Sequence, residues 1–154
     1  MATSSPVSIG FLLHDVARNM RHIFDGRARV LGVTRSQWRA LIYLSRVDGL
    51  TQTELADSLD VERISAGRMV DRLVESGLVE RRADPSDRRV WRLHLLPAAH
   101  GIVSELTSIG EQVEAETLSV LTTDQQVLFL NLLEALNAGL KRPKVCTDYK
   151  KEVE

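Results

Sequence analysis

Arginines at helical spacing in the middle of the chain are the side chains best suited to bind another molecule. They lie in residues 62–76, where apolar residues recur every three or four positions and predict an amphipathic helix. The first turns of such a helix can reach base edges and phosphates of a duplex. The residues predicted to do so are Arg63, Ser65, Ala66, Arg68 and Arg72. The predicted inward face comprises Ile64, Met69, Val70 and Leu73.

Gly67 is unusual inside this predicted helix, because glycine there costs about 1 kcal/mol relative to alanine. Together with Ala66 it leaves one side of the helix without bulk. That side would allow close approach to the wall of a DNA groove, or a tight crossing with another helix of the protein. The sequence leaves both explanations open.

Two more arginines lie at the predicted tip of a β-hairpin. Residues 78–82 and 90–95 read as strands, and the residues between them have the composition of a turn. Arg88 and Arg89 project from this tip, and an arginine there can enter a narrow minor groove. Asp87 would orient a guanidinium through paired hydrogen bonds. A solvated charged turn is the alternative explanation.

A third candidate site is the start of a short helix at Thr51. Thr51, Gln52 and Thr53 would present backbone N–H groups and short hydroxyls, which suit a phosphate. Thr51 and Glu54 also match a capping box, which explains the threonine without any ligand.

Charge is distributed unevenly along the chain, although the net charge is only −1. Residues 63–92 hold eight arginines against five acidic residues, a balance of +3. Residues 101–140 hold six acidic residues and neither lysine nor arginine. This asymmetry is expected if one face of the protein meets phosphates, although two differently charged solvated faces would give the same counts.

Residue types that carry catalysis are present, but without a catalytic spacing. The four histidines show no metal-ligand pattern, and the chain has no glycine-rich phosphate loop. We therefore predict no enzyme activity, no metal and no cofactor. A small metal-dependent enzyme using His14 or His22, eight residues apart on one predicted helix, is the weaker alternative.

The elements that position these residues follow from periodicity and from helix end signals. Apolar residues at helical steps predict a long helix over residues 9–31, ended by Gly32. A capping box at Thr34 starts a second helix. Two short helices, within residues 51–59 and 62–76, then form a helix-turn-helix unit ahead of the hairpin. We predict a mainly α fold with a small β-hairpin wing, an α+β winged helix-turn-helix.

The last third of the chain is predicted to be helical. Pro97 suits the first position of one helix, and a second helix begins near Thr123. The second helix is apolar on more than one face, which favours two packing partners, one of them another chain.

Length and composition suit one soluble domain. The chain has 154 residues and no apolar run of the roughly 18–20 residues that span a bilayer, so we expect no membrane partner. We also expect no signal peptide at the N-terminus. A single cysteine, Cys146, fits a reducing compartment, and we predict a cytoplasmic protein with a flexible tail over residues 142–154.

Three stretches carry a resemblance to a known family. They are Thr-Gln-Thr-Glu-Leu-Ala-Asp-Ser-Leu at 51–59, Gly-Leu-Val-Glu-Arg-Arg at 77–82 and Asp-Pro-Ser-Asp-Arg-Arg at 84–89. With these motifs the chain resembles the MarR family of bacterial regulators (multiple antibiotic resistance regulators) over residues 11–140. The last stretch is similar to the family's wing signature.

The resemblance implies a homodimeric transcriptional regulator, usually a repressor, that binds a pseudo-palindromic duplex. The whole chain would be one MarR-like domain, with residues 34–96 as the winged helix-turn-helix lobe. Residues 7–31 and 97–141 would be the dimerisation helices. By position, the resemblance points to Ser65 and Arg68 in the major groove and to Arg88 in the minor groove, with Asp87 as its brace.

Many members of the family release DNA when a small aromatic carboxylate or phenolic effector binds beside the dimer helices. The resemblance places that site at Arg18, Arg21 and Trp38, with Tyr43 nearby, although Trp38 as a core residue is an open alternative. Members that sense oxidants use a cysteine on the first helix, which is lacking here, so we do not expect a peroxide switch. A winged-helix module that binds protein and not DNA is the alternative function.

Overall fold

The computed structural model describes residues 8–140 as six α-helices, a short 3₁₀ helix and three strands. In chain order these are α1 (Ile9–Ala28), the 3₁₀ helix (Arg29–Leu31), α2 (Arg35–Arg46), β1 (Leu50–Thr51), α3 (Gln52–Leu59), α4 (Arg63–Glu75), β2 (Val79–Ala83), β3 (Trp91–Leu95), α5 (Pro97–Leu118) and α6 (Thr123–Leu140). They form two compact units, one ending at Ala115 and one beginning at Glu116. The predicted mainly α fold with a small β element is confirmed. Cys146 and the predicted tail lie outside the described residues.

Two capping boxes determine where α2 and α3 begin. Thr34 Oγ1 accepts the Gln37 N–H at 3.4 Å, and the Thr34 N–H donates to Gln37 Oε1 at 2.9 Å. Thr51 Oγ1 accepts the Glu54 N–H at 3.2 Å, and the Thr51 N–H donates to Glu54 Oε2 at 2.8 Å. The hydrogen bonds from the Thr51 backbone and side chain lower the pKa of Glu54, which keeps this carboxylate ionised. Both predicted boxes are confirmed.

The hairpin belongs to a three-stranded antiparallel sheet in the order β1-β3-β2. The strands β2 and β3 pair over five residues each. In addition, β1 pairs Leu50 with Leu93 and Thr51 with Arg92. The sequence did not predict β1, because two residues are too few to show an alternating pattern. This short strand holds the start of α3 directly beside the hairpin.

The core of the first unit lies between α2, α3, α4 and the sheet. Leu41, Leu55, Leu73 and Leu93 are among its fully buried side chains. Burial of each such leucine contributes roughly 1.5–3 kcal/mol. After α4, Gly77 adopts a φ of +69°, a left-handed conformation that glycine tolerates, and the chain turns into β2. The predicted glycine end of this helix is confirmed.

Large apolar side chains remain exposed on α1 and on α6. No residue of α6 is buried. The exposed large apolar residues of α6 are Val127, Leu128, Phe129, Leu130, Leu132, Leu136 and Leu140. Those of α1 are Ile9, Phe11, Leu12, Leu13, Val16 and Ile23. Within residues 8–140, no helix is long and apolar enough to cross a membrane.

Candidate nucleic-acid interface

The outward face of α4 carries most of the residues predicted to contact DNA. Arg63, Ser65, Arg68 and Arg72 are all exposed. The last three line a cleft of about 240 Å³ together with residues at the start of α2. The helix therefore presents three cationic side chains and a hydroxyl to solvent over its first three turns.

Two predictions about the orientation of α4 are wrong. Ala66, predicted to face DNA, is fully buried, whereas Ile64, predicted to face the core, is 69% exposed. The buried face is made by Ala66, Met69, Val70 and Leu73. A methyl side chain at position 66 lets α4 pack closely against its neighbours, whereas isoleucine at position 64 points away from them. The side chain of Ala66 is therefore not available for a contact with DNA.

Gly67 makes room for a side chain of α3. A Cβ atom at position 67 would lie 3.1 Å from Gln52 Nε2, closer than an ordinary contact. Arg81 Nη2 lies 3.5 Å from Gln52 Oε1 and donates to Asp71 Oδ1 at 2.6 Å. Arg81 therefore joins α3, α4 and β2. Of the two explanations for Gly67, these contacts favour the internal one.

The start of α3 and the base of the wing enclose a cleft of about 620 Å³. It is lined by Thr51, Gln52, Thr53, Arg81, Arg89, Val90 and Trp91. The three predicted contact residues of α3 are thus brought together with Arg89, a predicted contact residue of the wing. Two guanidinium groups beside the N-terminus of a helix form an environment that suits a phosphate.

Asp84 organises the turn at the tip of the wing, although only 6% of this residue is exposed. Its Oδ1 accepts the Ser86 N–H at 2.7 Å, the Ser86 hydroxyl at 2.5 Å and the Asp87 N–H at 3.3 Å. Its Oδ2 accepts a hydrogen bond from Arg92 Nε. The hydrogen bonds from Ser86, followed by the one from Arg92, hold the pKa of Asp84 well below its ordinary value. The turn is therefore built around a carboxylate that stays ionised at neutral pH.

Arg92 connects this turn to the rest of the first unit. While its Nε binds Asp84, its Nη1 donates to the Gly49 carbonyl oxygen at 2.8 Å. Gly49 adopts a φ of +75°, and a Cβ atom there would lie 3.4 Å from His94 and 3.6 Å from Arg92. The loop before β1 is thereby fastened to the same arginine that holds the wing tip.

The wing arginines themselves are exposed, but Asp87 has a different partner from the predicted one. Arg88 and Arg89 both face solvent. Asp87 Oδ1 accepts the backbone N–H of Arg89 at 3.0 Å, and the described residues show no hydrogen bond between Asp87 and the Arg88 guanidinium. Asp87 therefore shapes the backbone of the turn, and the carboxylate that binds an arginine side chain is Asp84.

The four residues predicted to bind an effector have different surroundings in the described part of the chain. Arg18 pairs with Asp15 at 3.1 Å, and Arg21 Nε donates to the Ala17 carbonyl at 3.3 Å. Tyr43 packs against the core of the first unit. The ring of Trp38 packs against that of Phe24, with the ring centroids 4.4 Å apart and the ring planes tilted by 47°.

Trp38 instead lines a separate cleft of about 400 Å³. Its Nε1 donates to Asp25 Oδ1 at 3.0 Å, and Arg35 pairs with the same carboxylate at 3.4 Å. Arg29 completes the polar lining of this cleft. Its cations are thus Arg29 and Arg35, and the predicted Arg18 and Arg21 do not line it.

Sequence reasoning missed the residues that hold the interface in shape, namely Arg81, Asp84 and Arg92. A signal for Asp84 was present, because an aspartate two residues before a serine commonly closes a turn through its side chain. Arg81 and Arg92 gave no local signal. Their partners lie ten or more residues away along the chain for Arg81, and 43 residues away for the Arg92 bond to Gly49.

Comparison with known proteins finds transcriptional regulators that are similar to this chain. A family model described as MarR family matches residues 31–90. The chain is 27% identical to the HTH-type transcriptional regulator YsmB of Bacillus subtilis, covering 83% of this chain and 92% of that protein. It is also 27% identical to the multiple antibiotic resistance protein MarR of Escherichia coli, covering 83% of this chain and 90% of that protein.

Solved structures agree with these relatives. The crystal structure of the transcriptional regulator PA3341 superposes with a TM-score of 0.76 at 33% identity, covering 86% of this chain and 98% of that one. The chain belongs to the MarR family. A mutant of Escherichia coli MarR in complex with operator DNA superposes with a TM-score of 0.72 at 27% identity, covering 84% of this chain and 94% of that one.

Membership of the MarR family confirms the resemblance carried by the three sequence motifs. Two of these motifs map to α3 and to the wing turn, and the third runs from the end of α4 into β2. This MarR-family chain is a DNA-binding transcriptional regulator and not an enzyme.

Proposed function

We propose that this regulator binds a pseudo-palindromic operator as a homodimer, with α4 in the major groove and the wing in the minor groove. Residues 34–96 would form the DNA-binding lobe, and residues 7–31 and 97–141 the dimerisation helices. The observation that carries the proposal is the placement of exposed arginines on α4 and on a wing tip that Asp84 and Arg92 hold in shape.

Contacts to DNA would divide between base edges and phosphates. Arg68 and Ser65 lie on the exposed side of α4 and would reach base edges, while Arg63 and Arg72 would bind the backbone. Arg88 would enter the minor groove. Arg89 would bind a phosphate together with the start of α3, where Thr51, Gln52 and Thr53 line the same cleft.

The exposed apolar surfaces of α1 and α6 support the homodimer. Six large apolar side chains on α1 and seven on α6 are exposed in the single chain. Many exposed large apolar side chains on a single helix are typical of a protein interface. A two-fold dimer would place the two α4 helices about 34 Å apart, one turn of B-DNA, and each would read one half-site.

A small aromatic carboxylate or phenolic effector would relieve repression. The cleft at Trp38 supports this part of the proposal, because the indole ring offers a stacking surface and Arg29 a cation for a carboxylate, while Arg35 already pairs with Asp25. Arg18, Arg21 and Tyr43 would contribute only if the cleft is rearranged in the dimer. Because the target is DNA, we also propose a cytoplasmic location.

The test is selection of bound fragments from the source genome, followed by titration of a selected fragment at several salt concentrations. We expect a steep loss of affinity with salt, because arginines displace counterions from the duplex. Arg88→Ala should weaken binding by about 1–3 kcal/mol and leave the dimer intact. Arg46→Ala is the matched control, because this exposed arginine lies at the end of α2 and outside the proposed contacts.

Each part of the proposal has its own contrary result. Failure to retain any genomic fragment at low ionic strength would remove the DNA-binding proposal and favour a module that binds protein. A monomer in solution would remove the two-fold arrangement. Equal affinities of Arg88→Ala and Arg46→Ala would remove the wing assignment while leaving the function.

A further inference from the structure

We infer that Ile64 determines operator specificity by contacting the C5-methyl group of a thymine in the major groove. This inference rests on the proposed function, since it requires α4 to lie in that groove. It adds a base preference that no arginine or serine of the helix supplies.

The position of Ile64 on α4 follows from helix geometry. Successive residues of an α-helix are about 100° apart, so Ile64 lies about 180° around the helix from Leu73. Leu73 is fully buried at the centre of the inward face, and Ile64 is 69% exposed. The isoleucine therefore occupies the middle of the outward face in the first turn of the helix, where a recognition helix meets bases.

The neighbours of Ile64 on the outward face of α4 are mainly polar. Arg68 follows one turn later on the same face, and Ser65 is the next residue in the chain. Val61, in the turn before α4, is a further exposed apolar residue at 38%. A large apolar side chain that stays exposed to water contributes no burial free energy to folding. Isoleucine is also a weaker helix former than alanine. The stability of the protein alone therefore does not account for the residue.

The major groove of DNA offers an apolar side chain one kind of partner. Among the features that base pairs present in the major groove, the thymine methyl group is the apolar one, and apolar side chains recognise it. An isoleucine at the middle of the outward face fits a thymine in each half-site. The two-fold dimer would require one such thymine in each, at symmetric positions.

The first part of the test uses the wild-type protein and a selected operator in which thymines are replaced by deoxyuridine, one symmetric pair at a time. This replacement removes only the methyl group and leaves base pairing intact. Loss of one buried methyl-sized group should weaken binding about fourfold. One symmetric pair of positions, with one thymine in each half-site, should therefore weaken binding about sixteenfold when both thymines are replaced.

The second part repeats the measurement with Ile64→Ala. This variant should bind the thymine operator more weakly and should no longer distinguish thymine from deoxyuridine at the sensitive pair. Ile64→Val keeps a branched apolar side chain and should retain the discrimination. Val47→Ala is the matched control, because Val47 is 52% exposed at the end of α2 and should keep the wild-type response. Thermal unfolding of Ile64→Ala should show no loss of stability relative to the wild type, since the side chain is exposed and alanine is the better helix former.

The outcomes separate this inference from the function on which it rests. If the wild type binds its operator without any dependence on thymine methyl groups, or if Ile64→Ala keeps the same dependence, the inference is overturned and DNA binding stands. If Ile64→Ala binds DNA like the wild type but loses a protein partner, the residue serves that partner and the inference is again overturned. If the wild type binds no fragment at all, the proposed function itself has failed.

Discussion

Gly67→Ala tests how α3 and α4 meet, and its two effects on stability can be estimated separately. Alanine is favoured over glycine inside a helix by about 1 kcal/mol. Against this gain, the new Cβ atom would lie 3.1 Å from Gln52 Nε2, so the amide must move by a few tenths of an ångström. The Gln52 amide is the flexible end of its side chain, and its contact with Arg81 is long, at 3.5 Å. We expect this movement to cost about 0.5 kcal/mol or less. The cost is smaller than the gain in helix propensity, so Gly67→Ala should raise the free energy of unfolding slightly.

Two companion variants isolate the two effects. Gly101→Ala lies inside α5, where a Cβ atom meets nothing within 4 Å, so it measures the helix gain alone. Gln52→Ala combined with Gly67→Ala removes the obstacle and should recover the full gain, which a double-mutant cycle measures as the coupling between the two positions. Chemical denaturation monitored by circular dichroism gives the free energies of unfolding.

DNA affinity distinguishes the two explanations of Gly67. Because the neighbour of Gly67 is Gln52, we expect Gly67→Ala to change operator affinity no more than Gln52→Ala does. A protein that is destabilised by more than 1 kcal/mol even without Gln52 would show that rigid backbone, and not this amide, limits position 67. A loss of DNA binding in the double variant beyond that of Gln52→Ala alone would show that the glycine faces the groove after all.

Three further predictions concern the wing, the start of α3 and α6. Asp84→Asn should speed hydrogen exchange of the Ser86 and Asp87 amides and weaken DNA binding no more than Arg88→Ala does; unchanged exchange would refute the role of the charge. Because the pKa of Asp84 is lowered, the stability it contributes is complete above pH about 4 and is lost only as the pH falls through the lower pKa of the folded state, which exchange measured at acidic pH would reveal. Thr51→Ala should reduce the free energy of unfolding by about 1 kcal/mol, whereas Thr53→Ala, which removes no cap, should stay within about 0.5 kcal/mol of the wild type in chemical denaturation. Leu132→Glu should convert the proposed dimer to a folded monomer in analytical ultracentrifugation, with Asn131→Glu on the same helix as control. A persistent dimer would remove α6 from the proposed interface.

In the proposed interface, some residues bind DNA and others order the wing tip, because a flexible tip would weaken binding. Arg88 and Arg89 must be exposed to reach DNA, and a free hairpin tip would lose conformational entropy on binding. Asp84 and Arg92 order the tip beforehand through hydrogen bonds between charged groups, which are stronger than neutral ones. The residues proposed to touch DNA and the residues that order the wing tip are therefore different sets.

What the sequence determined by itself was the local structure and the family. Helix starts such as Thr34 and Thr51 are set by side chains three residues apart, and the turn after Gly77 is set by one glycine, so these features are readable without the fold. The exposed arginines of the wing also followed directly from the composition of the turn. Motifs that lie within single elements were sufficient for the MarR resemblance.

What only the tertiary structure decided was which distant residues become partners. The misplacement of Ile64 and Ala66 is not of this kind, because helical spacing puts Ile64 about 180° and Ala66 about 20° around α4 from the buried Leu73, so the periodicity already favours the arrangement that the structure shows. The bond from Arg92 to Gly49 and the strand β1 join residues more than 40 positions apart, and local patterns hold no information about such pairs. Local preferences act between neighbours in the chain, whereas packing selects among near-equal alternatives through contacts that exist only once the chain has folded.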